Sequence, residues 1–197
     1  MKTMIERFRN WYDHERDCNA KILAMLSSVP EDKRATPEFQ RALDLVAHLM
    51  LARRMWLYRL GHWTAPPGGW DSTGTNLEDL PAMVAETETA WVDYLQRIDD
   101  AELQRLLTWT PLGGAAKRWR WPIELILTQV SGHAWYHRGQ IVELVRLLGG
   151  QTTSTDYIFW NRPEELPPDE GKWNCPLLDL TSLSAYGRLP ASKGVIP

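Results

Sequence analysis

The stretch GHAWYHRGQIVELVRLLGG, residues 132–150, sets His133 and His137 four positions apart. Around them Ile123, Ile126 or Leu127, Val130, Ile141, Leu144 and Leu148 recur every three or four residues, the period of a helix with one buried face. The spacing predicts a helix with Pro122 at its first position, Glu124 in its first turn and a stop at Gly149-Gly150. Both histidines fall on its apolar stripe. Two imidazoles at i and i+4 are neighbours on a helix surface and can converge on one point.

Upstream the same period appears three more times. One helix is predicted from about Ile5 to Ser28, carrying Ile5, Phe8, Trp11 or Tyr12, Ile22, Met25 and Leu26 and ended by SSVPEDK. A second runs from Pro37 to Leu60, with Thr36 as N-cap and Gly61 beyond its end. A third carries Leu80, Val84, Thr87, Trp91, Tyr94, Leu95 and Ile98. Between the second and third lies GHWTAPPGGWDSTGTN, a loop long enough to suggest a role. Before the last helix, two short runs flank Pro-Leu-Gly-Gly and predict a small β-hairpin over residues 105–121. Its second run alternates Trp119 and Trp121 with Arg118 and Arg120, read as a half-buried strand with a solvated outer face.

These elements predict an all-α fold: a four-helix bundle over residues 1–161 with a small β-hairpin before the last helix. Residues 162–197 read as a coil-rich extension with several prolines, and Tyr157, Phe159 and Trp160 just before it as a docking segment.

Composition narrows the function classes. The formal charge of −3 lacks the basic excess that phosphate binding uses, so nucleic acid is not favoured as a partner. Two cysteines, in no close pair, fit a reduced cytoplasmic protein. No run of eighteen apolar residues occurs and the charged N-terminus has no apolar core, so neither a membrane span nor secretion is expected. Eleven tryptophans are many for 197 residues and suit cores, pocket walls or interfaces, which leaves a homodimer open.

A metal would explain the paired histidines, because transition metals take two or three neutral ring nitrogens. Two core histidines satisfied by carbonyls and hydroxyls would explain them as well. A third inward histidine, His48, lies mid-helix on a face with Leu45, Ala52, Met55 and Trp56. His14 and His62 read as surface or loop residues, His14 with a weak claim to the cavity wall. Asp44, one turn before His48, is a candidate to orient its ring, to act as a fourth ligand or base, or simply to pair with Arg41 at the rim. Gln140, one turn beyond His137, is a candidate cavity residue; Trp56, Trp135 and the loop 61–76 are candidate pocket walls. Arg138 lies off the stripe and is expected in an ion pair, with Glu143 as a candidate partner.

AHLMLARRMW around His48, WPIELILTQVSGHAWYHRGQIVELVRLLGG around the histidine pair, RNWYDHE in the first helix and the closing TDYIFW together resemble the DinB/YfiT-like family. The resemblance implies a four-helix bundle holding a metal, usually zinc or nickel, on three histidines, which fall on His48, His133 and His137. It also implies a metalloenzyme acting on a small molecule, of thiol S-transferase or hydrolase type, with a low-molecular-weight thiol as co-substrate. The alternative is a metal-binding stress-response protein without turnover.

Overall fold

A computed structural model describes residues 2–70, 72–110 and 118–161. The extension expected over 162–197 and the turn of the hairpin lie outside the described residues. Among the described residues six α-helices and two strands follow in the order α1 (Met4–Ser27), α2 (Pro37–Arg59), α3 (Leu80–Arg97), α4 (Asp100–Leu103), β1 (Leu106–Trp109), β2 (Trp119–Pro122), α5 (Ile123–Leu147) and α6 (Tyr157–Asn161). The expected bundle is α1, α2, α3 and α5.

Local chemistry sets the boundaries. The Thr3 hydroxyl accepts from the Glu6 amide while the Glu6 carboxylate accepts from the Thr3 amide, a reciprocal capping box that starts α1. Thr36 caps α2 with Pro37 behind it, as the sequence predicts, and Gly61 follows its end at φ 78, where a side chain would be strained. The third helix ends at Arg97 because Ile98 turns extended; Asp99 then caps the short α4, which the apolar pattern does not reveal. Pro122 stands one place earlier than expected, as the last strand residue and N-cap of α5.

The four long helices form a ring in which α1 packs on α3 and α5, and α2 packs on α3 and α5. Two apolar clusters fill it. One gathers Met25, Leu26, Met50, Leu80 and Ile141; the other gathers Phe8, Leu57, Trp91, Leu103 and Ile126. Between them along the helices lie the buried polar residues Glu15, Arg53, Thr87 and Arg138. The Glu15 carboxylate meets Arg53 at 2.9 Å and Arg138 on its other oxygen, joining α1, α2 and α5. Burial alone would push the Glu15 carboxyl up, but Arg53 and Arg138 hold it below the usual carboxylate range.

This corrects the reading of Arg138. It does form an ion pair, but it is buried and its partner is Glu15; Glu143 pairs instead with Arg146 at 2.7 Å. His14 is corrected too: it is 2% exposed, within 3.1 Å of the Thr155 carbonyl and 3.2 Å of Cys18 Sγ. Its ring meets Tyr157 and Trp160 edge-on or tilted, so His14 seats α6 and does not reach the cavity. Phe159, expected to dock with them, is 69% exposed.

The hairpin pairs β1 with β2 antiparallel, Leu107 opposite Trp121 and Trp109 opposite Trp119. Leu107, Trp109, Trp119 and Trp121 share one face, which is covered along β1, where Leu107 is buried and Trp109 half-buried, and open along β2, where Trp119 and Trp121 are exposed. Trp109 links the hairpin to α2 through an edge contact with Trp56 at 5.2 Å. Among the described residues no helix is long and apolar enough to cross a membrane.

Candidate functional site

The adjacency of α2 and α5 brings His48 to the histidine pair. His133 Nε2 lies 3.2 Å from His48 Nε2 and 3.1 Å from His137 Nε2, and all three donor atoms fall within 4.8 Å of one another. The three residues are half buried, at the edge of the core against open space. Helix geometry alone explains the pair on α5; the α2–α5 contact supplies the third ring.

The outer nitrogens show which way the lone pairs face. His48 Nδ1 donates to the Trp70 carbonyl at 2.6 Å, and His137 Nδ1 donates to Gln140 Oε1 at 2.8 Å. A ring that donates from Nδ1 keeps a bare lone pair on Nε2 when neutral. The Nε2 atoms of His48 and His137 thus both face the Nε2 of His133 at hydrogen-bond distance, an arrangement that a shared cation also satisfies. Ligand bonds of about 2.0–2.1 Å place two nitrogens about 2.9 Å apart at right angles and about 3.3 Å apart at the tetrahedral angle. The observed 3.1 and 3.2 Å lie between these limits, so the cluster could hold a metal ion. Burial, and then the neighbouring His137, His48 and Arg53, push the His133 pKa down to about 4, which keeps its ring in the neutral, ligating form at pH 7.

Three of the expected surrounding residues take different parts. Gln140, expected on a cavity wall, instead fixes the His137 ring through its Oε1. Asp44 Oδ1 accepts from Gln40 Nε2 and from the Thr75 amide, both at 3.0 Å, and so ties the loop to α2. A backbone carbonyl, that of Trp70, holds the His48 ring, a contact that no side-chain pattern could announce. Trp135 is 47% exposed and meets Trp11 edge-on at 5.9 Å, away from the cluster. His62, read as a loop residue, sits beyond α2 and meets Asp93 at 3.0 Å.

Two cavities flank the histidines. The smaller, of about 160 Å³, is lined by Ala52, Arg53, Trp56, Trp70, Gln129, Val130 and His133. The larger and more open one, of about 550 Å³, has His48, His137, Asp44, Gln40, Arg41 and Ser72 on its walls. Trp56 and, from the loop, Trp70 and Ser72 stand on these walls. Arg59 braces the outer side, its guanidinium 4.8 Å from the Trp56 ring and 5.1 Å from that of Trp70.

A helix bundle with three histidines from two adjacent helices, open on two sides, defines a protein with a candidate metal centre at the edge of the bundle core. The family profile of the DinB family matches residues 1–170, and the chain belongs to that family. Comparison with curated proteins and with solved structures returns no match.

Proposed function

We propose that His48, His133 and His137 hold a divalent transition metal, zinc or nickel, and that the protein is a metal-dependent enzyme acting on small molecules by thiol transfer or hydrolysis. The observation that carries this reading is the convergence of the three Nε2 atoms, with the outer nitrogens of His48 and His137 tied to acceptors. Fixing the outer nitrogen sets tautomer and ring direction, which is the usual support of a ligating histidine. What an ion supplies on three neutral imidazoles is Lewis acidity toward a bound water or thiol at a position the protein leaves free.

The chain's own residues do the rest. Gln140 and the Trp70 carbonyl hold two rings in place, Trp56 and Trp70 exclude water from one flank, and the cavities admit partners from two sides. Access from two sides suits a reaction that joins a low-molecular-weight thiol to a small electrophile, and favours it over a site that only braces the bundle. The test is turnover of a chromogenic electrophile, 1-chloro-2,4-dinitrobenzene, with a panel of low-molecular-weight thiols, on zinc- and nickel-loaded protein. The expected result is a metal-dependent rate lost in His133→Ala. Background rates with every thiol, together with no hydrolysis of activated esters, would leave the non-catalytic alternative.

A further inference from the structure

The smaller cavity holds a charge arrangement that metal binding does not use. Arg53 and Arg138 share one carboxylate, Glu15, with side chains 3–5% exposed, so this trio carries more positive than negative charge in the bundle interior. An unbalanced buried charge is costly, and proteins meet the cost with a counter-charge. The carboxylate of Glu88 adds a longer-range attraction to Arg53, but its close contacts are with Asn19, from which it accepts at 2.9 Å, and with Arg16 at 3.8 Å. Arg53 itself lines the cavity, and its buried Nε has no hydrogen-bond partner among the described residues.

The remaining walls narrow the ligand further. Among the described residues no carboxylate lines this cavity, whereas Asp44 lines the larger one. Ala52, Trp56, Trp70 and Val130 are apolar or aromatic, and Arg59 adds a second guanidinium against the two indoles. The volume of about 160 Å³ suits a single ring, since an apolar cavity of about 150 Å³ holds benzene. His133 is on the same wall, so a molecule seated here presents itself to the histidine cluster.

We propose that the smaller cavity is an anion-selective substrate pocket, taking a small planar molecule that bears one carboxylate, with Arg53 as the residue that pairs with it. Arg53 is thereby a specificity-determining residue, held in place by Glu15. The proposal deepens the enzyme reading by naming the chemical class of the electrophile; the larger cavity is left for the second reactant.

The probes are benzoate and its neutral isostere benzamide, titrated by calorimetry into metal-loaded protein and into protein stripped by a chelator, with metal content measured in each sample. A charge-assisted hydrogen bond predicts benzoate at least roughly tenfold tighter than benzamide in both samples. Arg53→Met brings the ratio to about one. Gln129→Trp, at the exposed rim, fills the cavity without disturbing the buried ion pairs and abolishes binding of both, which keeps the test decisive if Arg53→Met does not fold. Equal binding of the two probes, no binding of either, or unchanged binding in Gln129→Trp would overturn the proposal. Benzoate binding confined to the loaded sample would also overturn it, because the carboxylate would then sit on the metal, and the metal reading would stand. A benzoate preference in a protein that takes up no metal would leave this pocket standing and remove the metal reading.

Discussion

Replacing Glu15 by Gln tests the polar layer that holds the site in place. The substitution keeps the shape of the side chain and removes its charge, leaving Arg53 and Arg138, both under 5% exposed, without the carboxylate they share. Breaking a buried ion pair by removing one partner costs about 3–5 kcal/mol. For a domain of this size each kcal/mol moves the melting temperature by about 2–4 °C, so a loss of roughly 6–20 °C is expected. Urea and thermal melts followed by circular dichroism at pH 7 read it. The pH dependence supplies a second check. The Glu15 carboxyl is held below its ordinary range in the fold, so its contribution is fully present above the unfolded carboxylate pKa of about 4.3 and is lost as pH falls through the lower folded value. The gap between wild type and Glu15→Gln is therefore wide at pH 7 and narrows below about pH 4. A gap under about 1 kcal/mol at pH 7, or one that stays constant down to pH 3, would refute the reasoning.

Two further perturbations separate the supports of the histidines. Gln140→Leu removes the acceptor on His137 Nδ1 and is expected to weaken metal affinity about 10–100-fold, read by competition with a chromophoric chelator, while the metal-free melt changes little; an unchanged affinity would deny Gln140 its orienting part. Asp44→Ala frees the Thr75 amide and the Gln40 side chain, so loop 61–76 loosens at a cost of about 1–2 kcal/mol. Amide exchange at Thr75 accelerates, and exchange at the wild-type rate would count against the tie.

Much of this organisation is legible in the sequence because helices write their buried faces at a fixed period. The stripes of α1, α2, α3 and α5 carry it, and the i, i+4 spacing of His133 and His137 leads directly to their convergence. His48 is found by depth and face rather than by motif, and the bundle's ring order brings it to the pair. What escapes has physical reasons. The ion pairs of Glu15 with Arg53 and Arg138 join residues far apart in the chain, and charged residues off an apolar stripe ordinarily lie in solvent. Glu143 is the local partner that spacing suggests for Arg138, yet Arg146, three residues on, takes it. The ring of His48 is set by a main-chain carbonyl, which leaves no signature in residue type. His14 looks like a surface residue because it stands among charges in α1; only the return of the chain through Thr155, Tyr157 and Trp160 buries it. Tryptophans are the least legible, since a ring suits both wall and surface: Trp56 lines a cavity, while Trp135 faces outward.

The central claim is that three ring nitrogens hold one ion. Elemental analysis of protein purified without a metal-affinity tag, beside His48→Ala, His137→Ala and the control His62→Ala, tests it most directly. The account predicts about one zinc or nickel per chain in the wild type and in His62→Ala, and none in the other two. Metal retained in either cluster variant, or absent from the wild type after growth with zinc and nickel supplied, would contradict it.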